Sequence, residues 1–347
     1  MRHAARRRTH RRAFTLLEVL IVNALLLLVV SAVQPATQRA RENGMKLRDG
    51  TQLRAITQGT VLFAQANRDR FPLATRIDRF NDTEGDPPAA LSQGGDVDPD
   101  KNRTGAILSV MIFADIITPE MCVSPADNGN VRIHDAYQYR RPDGANTPGR
   151  AVYDPAFSGT PFDSASDAVM TNNVTDRAGV SHNSYAHNCV AFARAADWTN
   201  TSSASKPVWG NRGPVYTDKR AHDPADPGWE LLPDNPLGSR SNTILVWGDE
   251  GRWRGNIAFA DARVDFSESP QPAGATFTFG DGAGNRVKVT DNIFVDERFE
   301  NPDAAARRNA YLRQWKRGIP IDLAPEDFDT RTHLAPTNDA EGFAWTD

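Results

Sequence analysis

Phe14 to Val33 reads FTLLEVLIVNALLLLVVSAV, and of its twenty residues only Thr15, Glu18, Asn23 and Ser31 are polar. A helix of ~20 residues rising about 1.5 Å each spans a bilayer's hydrocarbon core. The stretch therefore predicts a transmembrane helix over 14–35, and nothing comparable occurs downstream. Six arginines precede it (Arg2, Arg6, Arg7, Arg8, Arg11, Arg12) without an acid among them. By the positive-inside rule they keep the N-terminus cytoplasmic and place the rest of the chain outside. A secretory signal peptide shares the basic-then-apolar order. Against it stand the length of the apolar run, the lack of an A-x-A site directly after it, and helix-compatible sequence continuing toward Asn67.

The remaining chain is acidic. The net charge is −4, but removing the leading arginines leaves 34 basic against 44 acidic residues. A body with that balance lacks the concentrated basic face that a polyanion needs, so nucleic acid is excluded as its main partner. With 347 residues, 39% of them hydrophobic, the chain can bury a core, and wholesale disorder is excluded.

Glu18 is the informative residue, because an ionisable group in hydrocarbon costs at least ~2.5 kcal/mol and needs a partner. One reading has it snorkel to the membrane face from the helix start. The other follows from RRAFTLLEVLIV, which resembles the type IV prepilin leader. That resemblance implies cleavage between Ala13 and Phe14 by a prepilin peptidase, which also methylates the new N-terminus. It makes Glu18 the fifth mature residue and Pro35 a helix-kinking proline; alanine stands where the family usually has glycine before the cut. In such a filament the Glu18 carboxylate pairs with the Phe14 amine of a neighbouring subunit.

After the anchor, Leu53, Ile56 and Phe63 keep a helical period, so the helix is expected to run from Phe14 to about Asn67, roughly 80 Å at ~1.5 Å per residue. The organisation expected is a basic leader over 1–13, the membrane helix over 14–35 and its exported half over 36–67. A globular head over 68–300 and a C-terminal helix with an acidic tail over 301–347 complete it. Residues 78–105 and 199–242 read as long loops. AILSVMIFADIITPEMC predicts a helix with Ile107, Leu108, Met111, Ile112 and Ile116 on one face, stopped by Pro119. Strands are predicted in NVRIHDAYQYR, VYDPAF, SYAHNCVAF, TILVWGD, NIAFADARVDF, ATFTFG and RVKVTDNIFV, and their spacing fits an antiparallel sheet. Asn301 with Pro302 can cap a helix through DAAARRNAYLRQWKR to Gly318. The fold class expected is α+β, a pilin-like long helix packed on a head with an antiparallel sheet and large loop insertions.

MCVSPAD (Met121–Asp127), SYAHN (Ser184–Asn188) and NIAFADARVDF resemble, in that order, three elements of pseudopilin-like heads. Asp261-Ala262-Arg263 replaces a DGH-type turn and reads as a hairpin turn. Cys122 and Cys189 are the only cysteines. In an exported domain they are either a disulfide or two buried thiols, and sequence leaves both open. His182 and His187 lack the spacing and the glutamate of a zinc protease. Asp281, Gly282, Gly284 and Asn285 read as a glycine-rich turn rather than an EF-hand. Related heads bind calcium, so the resemblance leaves a calcium site open while the residues supply no ligand set; no other cofactor is expected. Tryptophans from Trp198 onward read as core or, alternatively, as glycan-stacking surfaces.

No nucleophile elbow or P-loop occurs. The resemblance thus implies a non-enzymatic pseudopilin or minor-pilin-like subunit of a type II secretion pseudopilus or type IV pilus-like filament. It would sit once in the inner membrane with a periplasmic head, its partners being the peptidase/methyltransferase and other subunits. The alternative is a membrane-tethered exported module that binds glycan or a secreted substrate and does not polymerise.

Overall fold

The computed structural model describes residues 15–85, 98–127, 131–160, 180–218, 229–234, 237–248, 251–280, 286–296, 309–316, 318, 334–335 and 344–345. The chain divides into two compact units, Met1–Leu47 and Arg48–Asp347, and the division falls inside one helix. That helix, α1 (Leu16–Ala66), runs uninterrupted through Pro35, and the one-turn helix α2 (Ala74–Ile77) follows it. Helix α1 ends where Arg68 and Asp69 adopt left-handed backbone, with φ of 56° and 63°.

In the second unit Asp49, Leu53, Ile56 and Thr60 fall on one stripe of α1 by the helical period, and all four are fully buried. They face a sheet whose strand order is β10-β11-β9-β1-β2-β5-β6. Its strands are β1 (Tyr185–Asn188), β2 (Pro207–Asn211), β5 (Gly255–Phe259), β6 (Val264–Ser267), β9 (Leu312–Trp315), β10 (Leu334–Ala335) and β11 (Ala344–Trp345). Every neighbouring pair is antiparallel except β10 with β11. Two separate antiparallel pairs join β3 (Tyr216–Asp218) to β4 (Trp229–Leu231), and β7 (Thr276–Gly280) to β8 (Arg286–Thr290).

The central strands are buried on both faces, and their side chains alternate between two cores as the period of two requires. Tyr185, Trp209 and Ala258 point to the cluster built by α1 and α3 (Thr104–Phe113), with Leu53, Ile56, Ile107 and Met111. Ala186, Ile257, Phe259 and Leu312 point the other way, to Trp253, Ala275, Ile293 and Phe294. Trp209 spans layers: its indole N–H donates to the Thr60 hydroxyl at 3.1 Å.

Several expectations are corrected here. Leu312–Trp315, expected as helix, is strand β9, a buried member of the sheet; residues 301–308 lie outside those described. Residues 199–242, expected as loop, contain β2, β3 and β4. TILVWGD is not a strand: Asn242–Leu245 forms the short helix α4, capped by Ser241, whose hydroxyl accepts from the Thr243 amide. The stretches NVRIHDAYQYR and VYDPAF form no strand beyond the isolated bridge of Val131 with Ser181. Asp78, Asn81, Thr83, Lys101 and Arg103, in what read as a surface loop, are buried. Helix α3 ends at Phe113, ahead of Pro119, because Asp115 turns into left-handed backbone with φ 55°. It is buried all round rather than on one face.

Gly159 lies so close to the start of α3 that a Cβ there would meet the Gly105 amide nitrogen at 2.2 Å. Main chain cannot swing aside as a side chain does. Gly159→Ala is expected to cost about 1–3 kcal/mol, checked by denaturant unfolding of the purified chain.

Candidate functional site

Two features of α1 qualify. The first is its apolar start. Thirteen large hydrophobics between Leu16 and Val33 are each at least 48% exposed, far more contiguous apolar surface than a protein leaves in water. The segment is long and apolar enough to cross a membrane.

Glu18 closes a capping box at its N-terminus. The Thr15 amide and hydroxyl donate to Glu18 Oε2 at 2.9 and 3.0 Å, and the Glu18 amide donates back to the Thr15 hydroxyl at 3.2 Å. The T-x-x-E spacing is a sequence signature of this arrangement and was readable. The carboxylate thus has hydrogen-bond donors within its own chain. Pro35 has no N–H to offer the Ser31 carbonyl, while the Thr37 hydroxyl donates to the Val33 carbonyl at 3.1 Å. Ala13 and Phe14 lie outside the described residues.

The second feature is Asp49, fully buried on the stripe that meets the sheet. Tyr185 Oη and Asn211 Nδ2 donate to its Oδ1 at 3.0 and 3.3 Å, and Asn256 Nδ2 donates to Oδ2 at 2.6 Å. The Ser124 side chain bonds to it as well. The supporting contacts are equally specific. Asn211 Oδ1 accepts from the Asn256 amide at 2.6 Å, and the Ser124 amide donates to the Ser184 hydroxyl at 3.0 Å. One turn on, Gln52 Nε2 donates to the carbonyls of Glu120 and Val123 at 3.0 and 3.2 Å. Asp127 receives Arg212 at 2.7 Å.

The three head segments singled out from sequence therefore meet at one carboxylate. MCVSPAD supplies Ser124, SYAHN supplies Tyr185, and NIAFADARVDF supplies Asn256. Asp49 itself was missed. The signal was present, since a carboxylate stands four residues before Leu53 and seven before Ile56 on the apolar stripe. Burial raises its pKa above the ordinary aspartate value, opposed by the hydrogen bonds from Ser124, Asn256, Tyr185 and Asn211. The site is a socket for the helix, with a charge held by dipoles in place of a cation.

The other candidates separate. Cys122 and Cys189 are both buried and are not bonded to each other. They sit in different apolar clusters, so the disulfide is not formed, and burial pushes the Cys122 thiol up. His182 and His187 are not a pair. His187 donates through Nδ1 to the Asn188 carbonyl at 2.8 Å, between Trp198 and Trp209, whereas His182 stacks on His134 at 4.3 Å between ring centroids. Burial lowers both histidines to about 4, leaving them neutral near pH 7. Asp281–Asn285 lies outside the described residues; among the described residues no group of three His, Cys, Asp or Glu is arranged to hold a metal. Trp198, Trp209, Trp247, Trp253 and Trp315 are buried, which makes them core residues, not glycan platforms.

The chain matches no family model, no curated protein and no solved structure.

Removing the carboxylate strands several buried donors. Asp49→Ala is expected to destabilise the head by roughly 3–5 kcal/mol. The pH sign follows from the raised pKa: the folded head holds its proton more tightly than the unfolded chain. Asp49's contribution is fully present below the unfolded value of about 4 and is lost as pH rises through the folded value. The stability of wild type relative to Asp49→Asn should therefore fall between acid and neutral pH. Unfolding titrations of the detergent-solubilised chains at several pH values measure this.

Proposed function

We propose that this chain is a non-enzymatic, membrane-anchored structural subunit of pseudopilin or minor-pilin type, processed before Phe14 and assembled through α1. The observation that carries the reading is the exposed apolar surface from Leu16 to Val33 with a single carboxylate, Glu18, at its start. Burying a Val, Leu or Ile side chain contributes about 1.5–3 kcal/mol. Thirteen of them outweigh the ~2.5–3.5 kcal/mol that translocon insertion assigns to a central charge, so one glutamate does not keep this helix out of a bilayer. The arginines of the leader set the orientation, with the N-terminus in the cytoplasm and the head periplasmic.

The capping box gives Glu18 a resting state. Before assembly, its carboxylate is held by the Thr15 amide and hydroxyl, at the end of the helix where the dipole favours negative charge. Once the leader is cut, the Phe14 amine of a neighbouring subunit offers a full positive charge at the same place. The peptidase/methyltransferase and other subunits of a type II secretion pseudopilus or type IV pilus-like filament are then the partners. The socket at Asp49 supports the same reading, because a subunit assembled by its helix needs that helix fixed in the head.

Two outcomes are expected. Intact-mass and N-terminal analysis of membrane-purified protein should find Phe14 first and methylated; an intact Met1, or a start after Val33, sinks the processing step. Glu18→Ala should stay in the membrane yet lose most anchor-to-anchor crosslinking, since it makes the helix more apolar while leaving a neighbour's amine unpaired. Undiminished crosslinking would favour the tethered, non-polymerising module.

A further inference from the structure

A second buried polar cluster stands apart from the Asp49 socket, where the loop 78–85 wraps the side chain of Lys101. Lys101 Nζ lies 2.6 Å from Asn81 Oδ1, 2.9 Å from Asp78 Oδ2, 2.7 Å from the Asp78 carbonyl and 3.2 Å from the Glu84 carbonyl. Lys101, Asp78 and Asn81 are each only 3% exposed. Phe63, Ala74, Ala106, Val110 and Tyr153 form an apolar cluster in the same part of the head.

The loop is held from several sides. The Asp78 carboxylate accepts from the amides of Thr83 and Glu84 at 3.1 Å each, and Asn146 Nδ2 bonds the carbonyls of Asn81 and Gly85 at 2.9 and 2.6 Å. Asn81 is in left-handed backbone with φ 53°. The Glu84 carboxylate is taken by the Arg103 guanidinium and by Tyr153 Oη. Asp78 is thus the carboxylate on the amine. At Gly85, a Cβ would come within 3.2 Å of Asn81 Cγ, so glycine leaves the amide carbon room. An amine, a primary amide and a carboxylate are fixed at hydrogen-bond distance with water excluded, which is the arrangement that turns a slow acyl transfer into an intramolecular one.

We propose that Lys101 Nζ and Asn81 Cγ join in an intramolecular isopeptide bond, with Asp78 as general acid and base. Asp78 takes a proton from the lysine ammonium, and the freed lone pair attacks Asn81 Cγ. The Cγ–Nδ2 bond then breaks as Asp78 returns the proton to the leaving nitrogen. A lysine ammonium and an asparagine amide become a secondary amide and one ammonium ion, so atoms and charge balance and no oxidant is needed. The bond closes the chain between residues 81 and 101 and restricts the unfolded state as a disulfide would, in a head where Cys122 and Cys189 are not joined to each other.

Peptide mapping of the full-length protein by mass spectrometry tests this. Wild type should yield a branched peptide joining the Asn81 and Lys101 segments, uncut by trypsin at Lys101 and lighter than their sum by about 17 Da, one ammonia. Lys101→Arg and Asn81→Ala should each give separate peptides, as should Asp78→Asn in protein whose circular dichroism shows it folded. Separate unmodified peptides in wild type overturn the proposal and leave Lys101 an ammonium in a cage of oxygens. A loss of about 18 Da, one water, would move the bond to Asp78 and overturn the assignment to Asn81. A joined peptide in Asp78→Asn would remove Asp78 from the reaction. The wild-type measurement decides even where a variant fails to fold.

Discussion

A carboxylate buried on a helix and bonded by neutral side chains is a demanding constraint, and the head is arranged around meeting it. Asp49 receives side-chain donors from three strands or their edges and a fourth from the turn at Ser124. Each donor is worth about 1 kcal/mol net when made, yet leaving one buried and unmade costs more, so the set holds together or fails together. The geometry is also intolerant of slippage. One residue of displacement along α1 turns the carboxylate by about 100° and brings Arg48 or Gly50 to the sockets instead. Gly50 already lies against Asn256, whose amide oxygen would stand 3.4 Å from a Cβ there. Hydrophobic contacts at Leu53 and Ile56 supply much of the attraction; they are not directional, and Asp49 fixes the register.

Other long buried side chains reach the main chain of distant segments. Arg313 on β9 is 2% exposed, and its guanidinium donates to the carbonyls of Gly213, Pro214 and Phe294 at 2.8, 3.1 and 2.6 Å. Arg194 is buried against Asp296, with Nε donating to the Asn309 carbonyl at 2.8 Å. Gln314 Nε2 reaches the Asn183 carbonyl at 2.8 Å. These long side chains tie irregular segments to the sheet where regular ladders are short, which suits a head assembled from strands of two to five residues.

That strategy explains which parts of the fold were legible in sequence. Helix α1 was, because an apolar run followed by a 3.6-residue period is a local signal; so was the hairpin of β5 with β6, with alternating residues about a turn. Strand β9 was not. AYLRQWKR reads as an amphipathic helix if Arg313 and Gln314 face water, and only the carbonyls of distant loops reveal that they are buried. Strand β2 was hidden for the opposite reason. PVWGN carries proline and glycine, the usual marks of a turn, yet Gly210 is needed where a Cβ would stand 3.3 Å from the Asn256 carbonyl and 3.0 Å from Leu312. Helix α4 shows the limit of apolar runs: TILV suits a strand, but the Ser241 cap and the tertiary setting make a turn of helix. For the candidate site, the three partner segments were recognisable as motifs, whereas their convergence on Asp49 depends on contacts that are distant in sequence, as far as the 207 residues between Asp49 and Asn256.

Glu18 and Asp49 belong to one helix and answer the same difficulty in different ways. Glu18 stands in an apolar run and Asp49 on a buried stripe of an otherwise polar segment, and each is satisfied by neutral donors. Glu18 finds them within one turn, from Thr15, and so holds its hydrogen bonds wherever the helix goes, into water, lipid or a bundle. Asp49 finds them only in the assembled head, so its satisfaction reports that the head is folded. A local solution leaves a side chain free to exchange partners at little cost; a solution distributed over four segments does not. The first therefore suits a group that changes neighbours, as the proposed assembly asks of Glu18, and the second suits one that must never move.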